Sequence, residues 1–249
     1  MGLAAGRGVC VVLPTYNERE NIEPVSAAIL EALPEAHLLI VDDASPDGTG
    51  ELADAVAARS DRVNVLHRPG KDGLGVAYRD GFRDALAMDD VRAVVQMDAD
   101  FSHDPADLPR LVAPLMTDAD LVLGTRYISG GGVVGWPLHR QLISRAGTIF
   151  ARTVLLLPYR DLTGGFKAWR RELLEEIRLR DVSASGYGFQ IETTWWAHRR
   201  RARIRQLPII FRERVAGRSK MSGGIVREAL LLVVALRLRA IRDFVMRRG

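Results

Sequence analysis

Val94-Val95-Gln96-Met97-Asp98-Ala99-Asp100-Phe101-Ser102-His103-Asp104-Pro105 is the stretch whose reading decides the fold of this chain. A short apolar run has the length of a buried strand, and Asp104-Pro105 reads as the N-cap and first position of a helix. Between them stand two carboxylates spaced i, i+2. On an extended segment such residues share a face, so Asp98 and Asp100 point the same way from a strand's carboxyl end. Open α/β sheets bind ligands at that edge. A carboxylate pair there suits a hard divalent cation, held directly or through the phosphates it carries. A solvated acidic turn has the same local pattern, so the surrounding chain must decide.

Working outward, apolar runs alternate with helical patterns. Strands are expected at 9–14, 37–41, 63–66, 93–97 and 120–124, and helices at 22–33, 50–59, up to 87, and 104–116. This alternation predicts right-handed βαβ units and a mostly parallel sheet. The run Val9-Cys10-Val11-Val12-Leu13-Pro14 is continuously apolar, as a parallel strand covered on both faces should be. Carboxylates recur after these strands: Glu18 after the first, Asp42 and Asp43 after the second, Asp98 and Asp100 after the fourth. In a parallel sheet they converge on one edge, which favours a nucleotide-and-metal crevice over isolated turns. No G-x-G-x-x-G follows the first strand and no G-x-x-x-x-G-K-[ST] occurs, which disfavours a dinucleotide fold and a phosphate-loop NTPase.

The 249 residues carry a net charge of +4 that hides an asymmetry. Residues 1–125 hold 10 Lys+Arg against 22 Asp+Glu, and residues 126–249 hold 25 against 9. An acidic first half suits a cation, and a basic second half suits an anionic partner. Cys10, the single cysteine, sits in an apolar run and reads as a core residue, and no Cys/His cluster has zinc spacing. No apolar stretch is long enough to span a bilayer and no signal-peptide pattern opens the chain, so the expectation is a soluble or peripheral cytoplasmic protein. The basic stretch 198–205 lacks interleaved aromatics that would stack bases, which argues against nucleic acid and for a helix end followed by an edge strand at 206–212.

Three motifs carry a resemblance: Val12-Leu13-Pro14-Thr15-Tyr16-Asn17-Glu18, Val41-Asp42-Asp43-Ala44-Ser45-Pro46-Asp47-Gly48-Thr49 and Asp98-Ala99-Asp100. They resemble the nucleotide-sugar half of family 2 glycosyltransferases, which implies the α/β fold called GT-A. The resemblance implies that Pro14, Tyr16, Glu18, Val41 and Asp43 hold the donor's base and ribose, with Ala99 beside them. It implies that Asp98 and Asp100 bind Mg²⁺ or Mn²⁺ on the donor diphosphate, with Ser102 where some members have a metal-binding Gln.

The second half narrows the resemblance. Residues 131–145, 161–169 and 185–192 are similar to polyprenol monophosphomannose synthases, also called dolichyl-phosphate mannosyltransferases. That implies GDP-mannose as donor, a polyprenyl monophosphate as acceptor and inversion at the sugar. Arg126 is then placed to meet donor phosphates, and Arg140, Arg145, Arg214 and Lys220 to meet the acceptor phosphate, with Asp100, Arg126, Arg214 and Lys220 as the catalytic set. Asp161, in a loop read over 161–169, is weighed as a base, and Glu192 as either a site residue or a surface acid at a helix start. Residues 128–135 read as a mobile Gly-rich loop. Residues 225–248 read as one helix, apolar then Arg-rich, which either lies on an anionic membrane surface or packs on protein.

The expected organisation is a glycosyltransferase domain over 1–222, with a donor half at 9–125 and an acceptor half at 126–222, followed by an amphipathic helix over 223–249. The resemblance also leaves room for a membrane-anchoring subunit, or a downstream acyltransferase or mannosyltransferase, as protein partners on the cytoplasmic face. A UDP-glucose-dependent polyprenyl-phosphate glycosyltransferase, a nucleotidyltransferase and a nucleotide-sugar sensor are the competing readings.

Overall fold

The computed structural model describes residues 5–177, 179, 182–186, 188–213 and 223–246. Its strands are β1 (Val9–Thr15), β2 (His37–Asp42), β3 (Val63–His67), β4 (Ala93–Gln96), β5 (Leu121–Thr125), β6 (Gly132–Val134), β7 (Lys167–Arg170), β8 (Ile204–Pro208) and β9 (Ile210–Arg212). Its helices are α1 (Ile22–Ala32), α2 (Thr49–Ala57), α3 (Leu74–Ala87), α4 (Leu108–Val112), α5 (Leu138–Leu155), α6 (Arg171–Ile177), α7 (Gly188–Arg199) and α8 (Gly223–Met246). The main sheet runs β3-β2-β1-β4-β7-β5-β8, and β6 and β9 form a separate parallel pair. Every pairing in the main sheet is parallel except those of β7, which is antiparallel to both β4 and β5.

The apolar run of β1 is continuous because its alternate side chains feed two cores. Cys10 and Val12 pack with Tyr78, Phe82 and Trp169, while Val9, Val11 and Leu13 pack with Ile22, Val25 and Ile29. Burial pushes the Cys10 thiol up to about 12, so it is an inert core group at neutral pH. The strands end together on one edge, and the loops leaving β1, β2 and β4 each contain a non-glycine residue at positive φ: Asn17 (58°), Ala44 (52°) and Phe101 (57°). Backbone held in that region costs energy that surrounding structure must offset, and such residues concentrate at functional edges. Here they stand next to Glu18, Asp43 and Asp100.

Four segments differ from the sequence reading. Residues 167–169, read as loop, belong to β7 in the middle of the sheet, with Trp169 paired in register to both Val94 and Leu121. The helix expected over 104–116 is interrupted: 3-10 turns at Pro105–Asp107 and Ala113–Met116 flank a short α4. Pro109 and Pro114 lack the amide hydrogen that a continuous helix needs. The Gly-rich segment expected to be a mobile loop contributes β6, which pairs with β9 from Gly132↔Ile210 to Val134↔Arg212. The edge strand expected over 206–212 is two strands, β8 and β9, which part at Ile209 to serve different sheets.

Candidate active site

The shared edge opens into two cavities that meet at Asp98. The first, about 380 Å³, is walled by Pro14, Tyr16, Glu18, Asp43, Lys71, Asp98, Ala99 and Asp100, with Ser185, Gly186 and Glu228 opposite. The loop after β2 divides its two acids. Asp42 faces inward and accepts from Thr15 Oγ1 (2.9 Å), Ser45 N (3.0 Å) and Ser45 Oγ (2.6 Å), fixing the turn. Asp43 faces the cavity and pairs with the buried Arg68, which also donates to Asp80 (2.9 Å). Glu18 accepts from Asn21 Nδ2 at 2.8 Å, and Lys71 Nζ lies 3.9 Å from the Tyr16 ring centroid. The far wall is drawn in tightly: Gly73 has φ +103°, and a Cβ there would lie 2.5 Å from Ser185 O. Any other residue at position 73 would push that wall away.

Asp98 and Asp100 lie just beyond the end of β4, so they share a cavity through a loop rather than through one strand face. Asp98 is held from three sides. Its backbone N–H donates to His103 Nδ1 (3.2 Å), Tyr78 Oη donates to its Oδ1 (3.3 Å), and Gly165 lies against both carboxylate oxygens. His103 stacks on Phe166 (4.8 Å), and burial lowers its pKa, which keeps the imidazole neutral. Asp100 accepts from Ser102 N at 3.0 Å. Ser102 itself is buried and does not line the cavity. The pair fits a divalent cation of the Mg²⁺ type: two hard oxygen donors beside open volume large enough for the phosphates that complete its shell. Among the described residues no group of three or more His, Cys, Asp or Glu could hold a metal ion.

The second cavity, about 140 Å³, lies on the other side of Asp98, between α5, α7 and α8. Ile143, Phe150, Leu230, Val233 and Phe211 make its wall largely apolar, and Arg126, Trp136, Arg140 and Gln190 give it N–H groups. Arg126 is 5% exposed and clamped to Asp161 through Nε–Oδ2 (2.7 Å) and Nη2–Oδ1 (2.8 Å). Tyr127, Trp136 and Phe211 rings surround the guanidinium at 5.1–5.6 Å. Burial alone would raise the Asp161 carboxyl, but the Arg126 guanidinium and several N–H donors overcome it and hold it low. Three buried nitrogens on this wall, Trp136 Nε1, Arg140 Nε and Gln190 Nε2, have no hydrogen-bond partner among the described residues.

The glycosyl transferase family 2 model matches residues 10–178. The chain belongs to this family. An undecaprenyl-phosphate mannosyltransferase of Micrococcus luteus is 48% identical over 90% of this chain and 92% of its own length. A polyprenol monophosphomannose synthase of Mycolicibacterium smegmatis is 45% identical over 94% of this chain and 88% of its own. Among solved structures, glucosyl-3-phosphoglycerate synthase of Mycobacterium tuberculosis with Mn²⁺, UDP-glucose and phosphoglyceric acid superposes with a TM-score of 0.71 at 25% identity, covering 94% of this chain and 80% of that one.

In this glycosyltransferase the expected donor residues Pro14, Tyr16, Glu18, Asp43, Asp98, Ala99 and Asp100 all line the first cavity. Val41 is fully buried in the core, and Arg126 lines the second cavity instead of the first. Arg140 reaches the second cavity, stacked 4.0 Å from Trp136 and paired with Glu213 at 2.7 Å. Arg145 does not line it and lies over Tyr127 at 5.4 Å. Arg214 and Lys220 lie outside the described residues. Asp161, weighed as a base, spends its oxygens on Arg126, Thr163 N (3.2 Å) and Gly164 N (3.1 Å). Glu192 is not a surface acid. It is wholly buried and accepts from Ser183 N (2.9 Å) and Ala184 N (2.8 Å), tying down the segment that closes the first cavity.

Sequence reasoning missed Arg68, Lys71, Tyr78, His103, Trp136 and Gln190. A usable signal existed for Lys71 alone: the chain has only three lysines. The others are defined by partners distant in sequence.

Proposed function

We propose that this glycosyltransferase transfers mannose from GDP-mannose to a polyprenyl monophosphate, with inversion, giving polyprenyl phosphate β-mannose and GDP. The observation that carries the reading is the apolar second cavity, which shares Asp98 with the nucleotide cavity and whose lining residues Trp136, Arg140 and Gln190 each hold a buried N–H without a partner among the described residues. Elsewhere on the surface, α5 exposes Leu138, Leu142 and Ile149, and α8 exposes Leu231, Leu238 and Val245. A phosphate on an isoprenoid chain suits a cavity whose lining is largely apolar and includes Arg126, Trp136 and Arg140. The relatives' names support the same acceptor class.

The acceptor phosphate is the nucleophile. Its second pKa is about 6, so it is largely dianionic at neutral pH and needs no protein base. This agrees with Asp161 and Glu192 being committed to structural hydrogen bonds. The difficulty is bringing one anion to another. Asp98 and Asp100 would hold Mg²⁺ or Mn²⁺, which would neutralise charge on the diphosphate and the departing GDP. Arg140 and Trp136 orient the acceptor phosphate, and Arg126, fixed by Asp161, sets a preorganised positive field behind it. Arg214 and Lys220, carried over from the resemblance, add to that field. The exposed apolar faces of α5 and α8 rest on the membrane surface where the acceptor lies. No helix among the described residues is long and apolar enough to cross a membrane.

Labelled GDP-mannose incubated with the enzyme, Mn²⁺ or Mg²⁺ and a short polyprenyl phosphate should give labelled, solvent-extractable lipid. Label appearing only with UDP-glucose, or on phosphoglycerate in place of the lipid, would overturn the reading.

A further inference from the structure

A buried chain of amides runs from the sheet into the second cavity. Trp169 Nε1 donates to Gln96 Oε1 at 2.9 Å, and Gln96 Nε2 donates to Gln190 Oε1 at 2.7 Å. All three residues are no more than 1% exposed. Two glutamines in contact could each face either way, since amide oxygen and nitrogen are fixed only by their partners. Here the first partner settles both. An indole N–H can only donate, so Gln96 must turn its oxygen to Trp169 and its nitrogen to Gln190. Gln190 must then turn its oxygen to Gln96. What is left is its Nε2, a buried donor with no partner among the described residues, on a residue that lines the second cavity. An unmet buried donor is costly, and native structures leave few of them without a reason.

The position of Gln190 says what would meet it. It lines the second cavity, as Asp98 and Gly165 do, and it is hydrogen-bonded to Gln96, which stands two residues before Asp98. Asp98 lines both cavities, so Gln190 stands in the cavity that joins the diphosphate side there. A transferred hexose has to occupy that junction. We propose that Gln190 Nε2 donates a hydrogen bond to a hydroxyl oxygen of the transferred hexose, and that Gln96 and Trp169 are positioning residues that fix it as a donor. This rests on the glycosyl-transfer reading above and adds the residue that reads the sugar itself.

The test is a cycle between residue and hydroxyl. Wild type, Gln190→Leu and Gln190→Glu are assayed with the parent nucleotide hexose and its monodeoxy analogues, and GDP binding with Mn²⁺ is followed by calorimetry. One neutral hydrogen bond is worth about a tenfold change in kcat/KM. Gln190→Leu should lose roughly that factor on the parent donor, keep wild-type GDP affinity, and be indifferent to removal of one particular hydroxyl that wild type penalises. Gln190→Glu, which offers an acceptor, should not restore the loss. Trp169→Phe, which frees both amides to flip, should blunt the same hydroxyl preference whatever its effect on total activity. Losses that multiply independently for every deoxy donor would overturn the contact, as would full activity in Gln190→Leu. Absence of hexose transfer by wild type from any donor would instead sink the glycosyl-transfer reading, and this inference with it.

Discussion

At the scale of single residues, the molecule uses buried cations in two different ways. Arg126 is matched by Asp161, and removing one partner of such a pair leaves an uncompensated buried charge. Asp161→Asn should therefore lower the unfolding free energy by about 3–5 kcal/mol in denaturant titration. A variant as stable as wild type but inactive would make Asp161 a chemical base instead. Since the Asp161 pKa is held low in the fold, its contribution is present above the ordinary carboxylate range and fades as pH falls through the folded value. Among the described residues no carboxylate forms an ion pair with Lys167. Its Nζ donates to Gln190 O (2.7 Å) and Thr194 Oγ1 (2.9 Å), and burial lowers its pKa to about 7 against an unfolded value of 10.5. Between those two values the unfolded chain binds a proton that the folded chain does not, so this group makes stability rise with pH across that window. Thermal or chemical unfolding followed from pH 7 to 10 should show a shallower rise in Lys167→Met than in wild type. An identical slope would mean that Lys167 stays charged in the fold.

At the scale of elements, α8 has two contrasting faces. Val233 and Leu236 are 1% and 3% exposed and pack inward, while Leu231, Leu238 and Val245 are 61–64% exposed on the other side. One helix thus has both a packed face and a face exposed among the described residues, and α5 likewise exposes Leu138, Leu142 and Ile149. Leu231→Glu with Leu238→Glu should weaken co-sedimentation with anionic vesicles while shifting stability by no more than about 0.5 kcal/mol, as surface changes usually do. Equal vesicle binding would assign that face to another occupant. The elements also show what could be read from the chain. The strands β1, β2, β4 and β5 were legible because parallel strands covered on both faces leave continuous apolar runs. The strand β7 was not, because Lys167-Ala168-Trp169-Arg170 alternates in no simple way. Its lysine is buried only because carbonyl and hydroxyl partners arrive from α7. The motif residues of the first cavity were legible since each follows its own strand. The second cavity was not. Arg126 meets Asp161 across 35 positions, and Gln96 meets Gln190 across 94. The basic run after α7, by contrast, is largely structural: Arg203 binds Asp120 at 2.7 Å, Arg205 pairs with Asp118, and Arg199 reaches Asp243 at 2.8 Å.

At the scale of the whole molecule, the charge asymmetry maps onto the two cavities. The acidic half supplies Glu18, Asp43, Asp98 and Asp100, and the basic half supplies Arg126 and Arg140. The helix α8 touches both. Its Glu228 stands in the wall of the nucleotide cavity, and Ala229, Leu230 and Val233 stand in the wall of the apolar one. A coupling between two binding events must be equal in both directions. If lying on a bilayer steadies α8, it tightens the grip on nucleotide, and nucleotide must then tighten adhesion to the bilayer by the same factor. Vesicle affinity measured with and without GDP and Mn²⁺ should differ by the ratio of GDP affinities measured with and without vesicles. Two affinities unmoved by each other's ligand would mean that α8 acts as two separate walls. With the coupling present, an enzyme adrift in solution holds its donor loosely, and sugar is committed only where lipid waits to receive it.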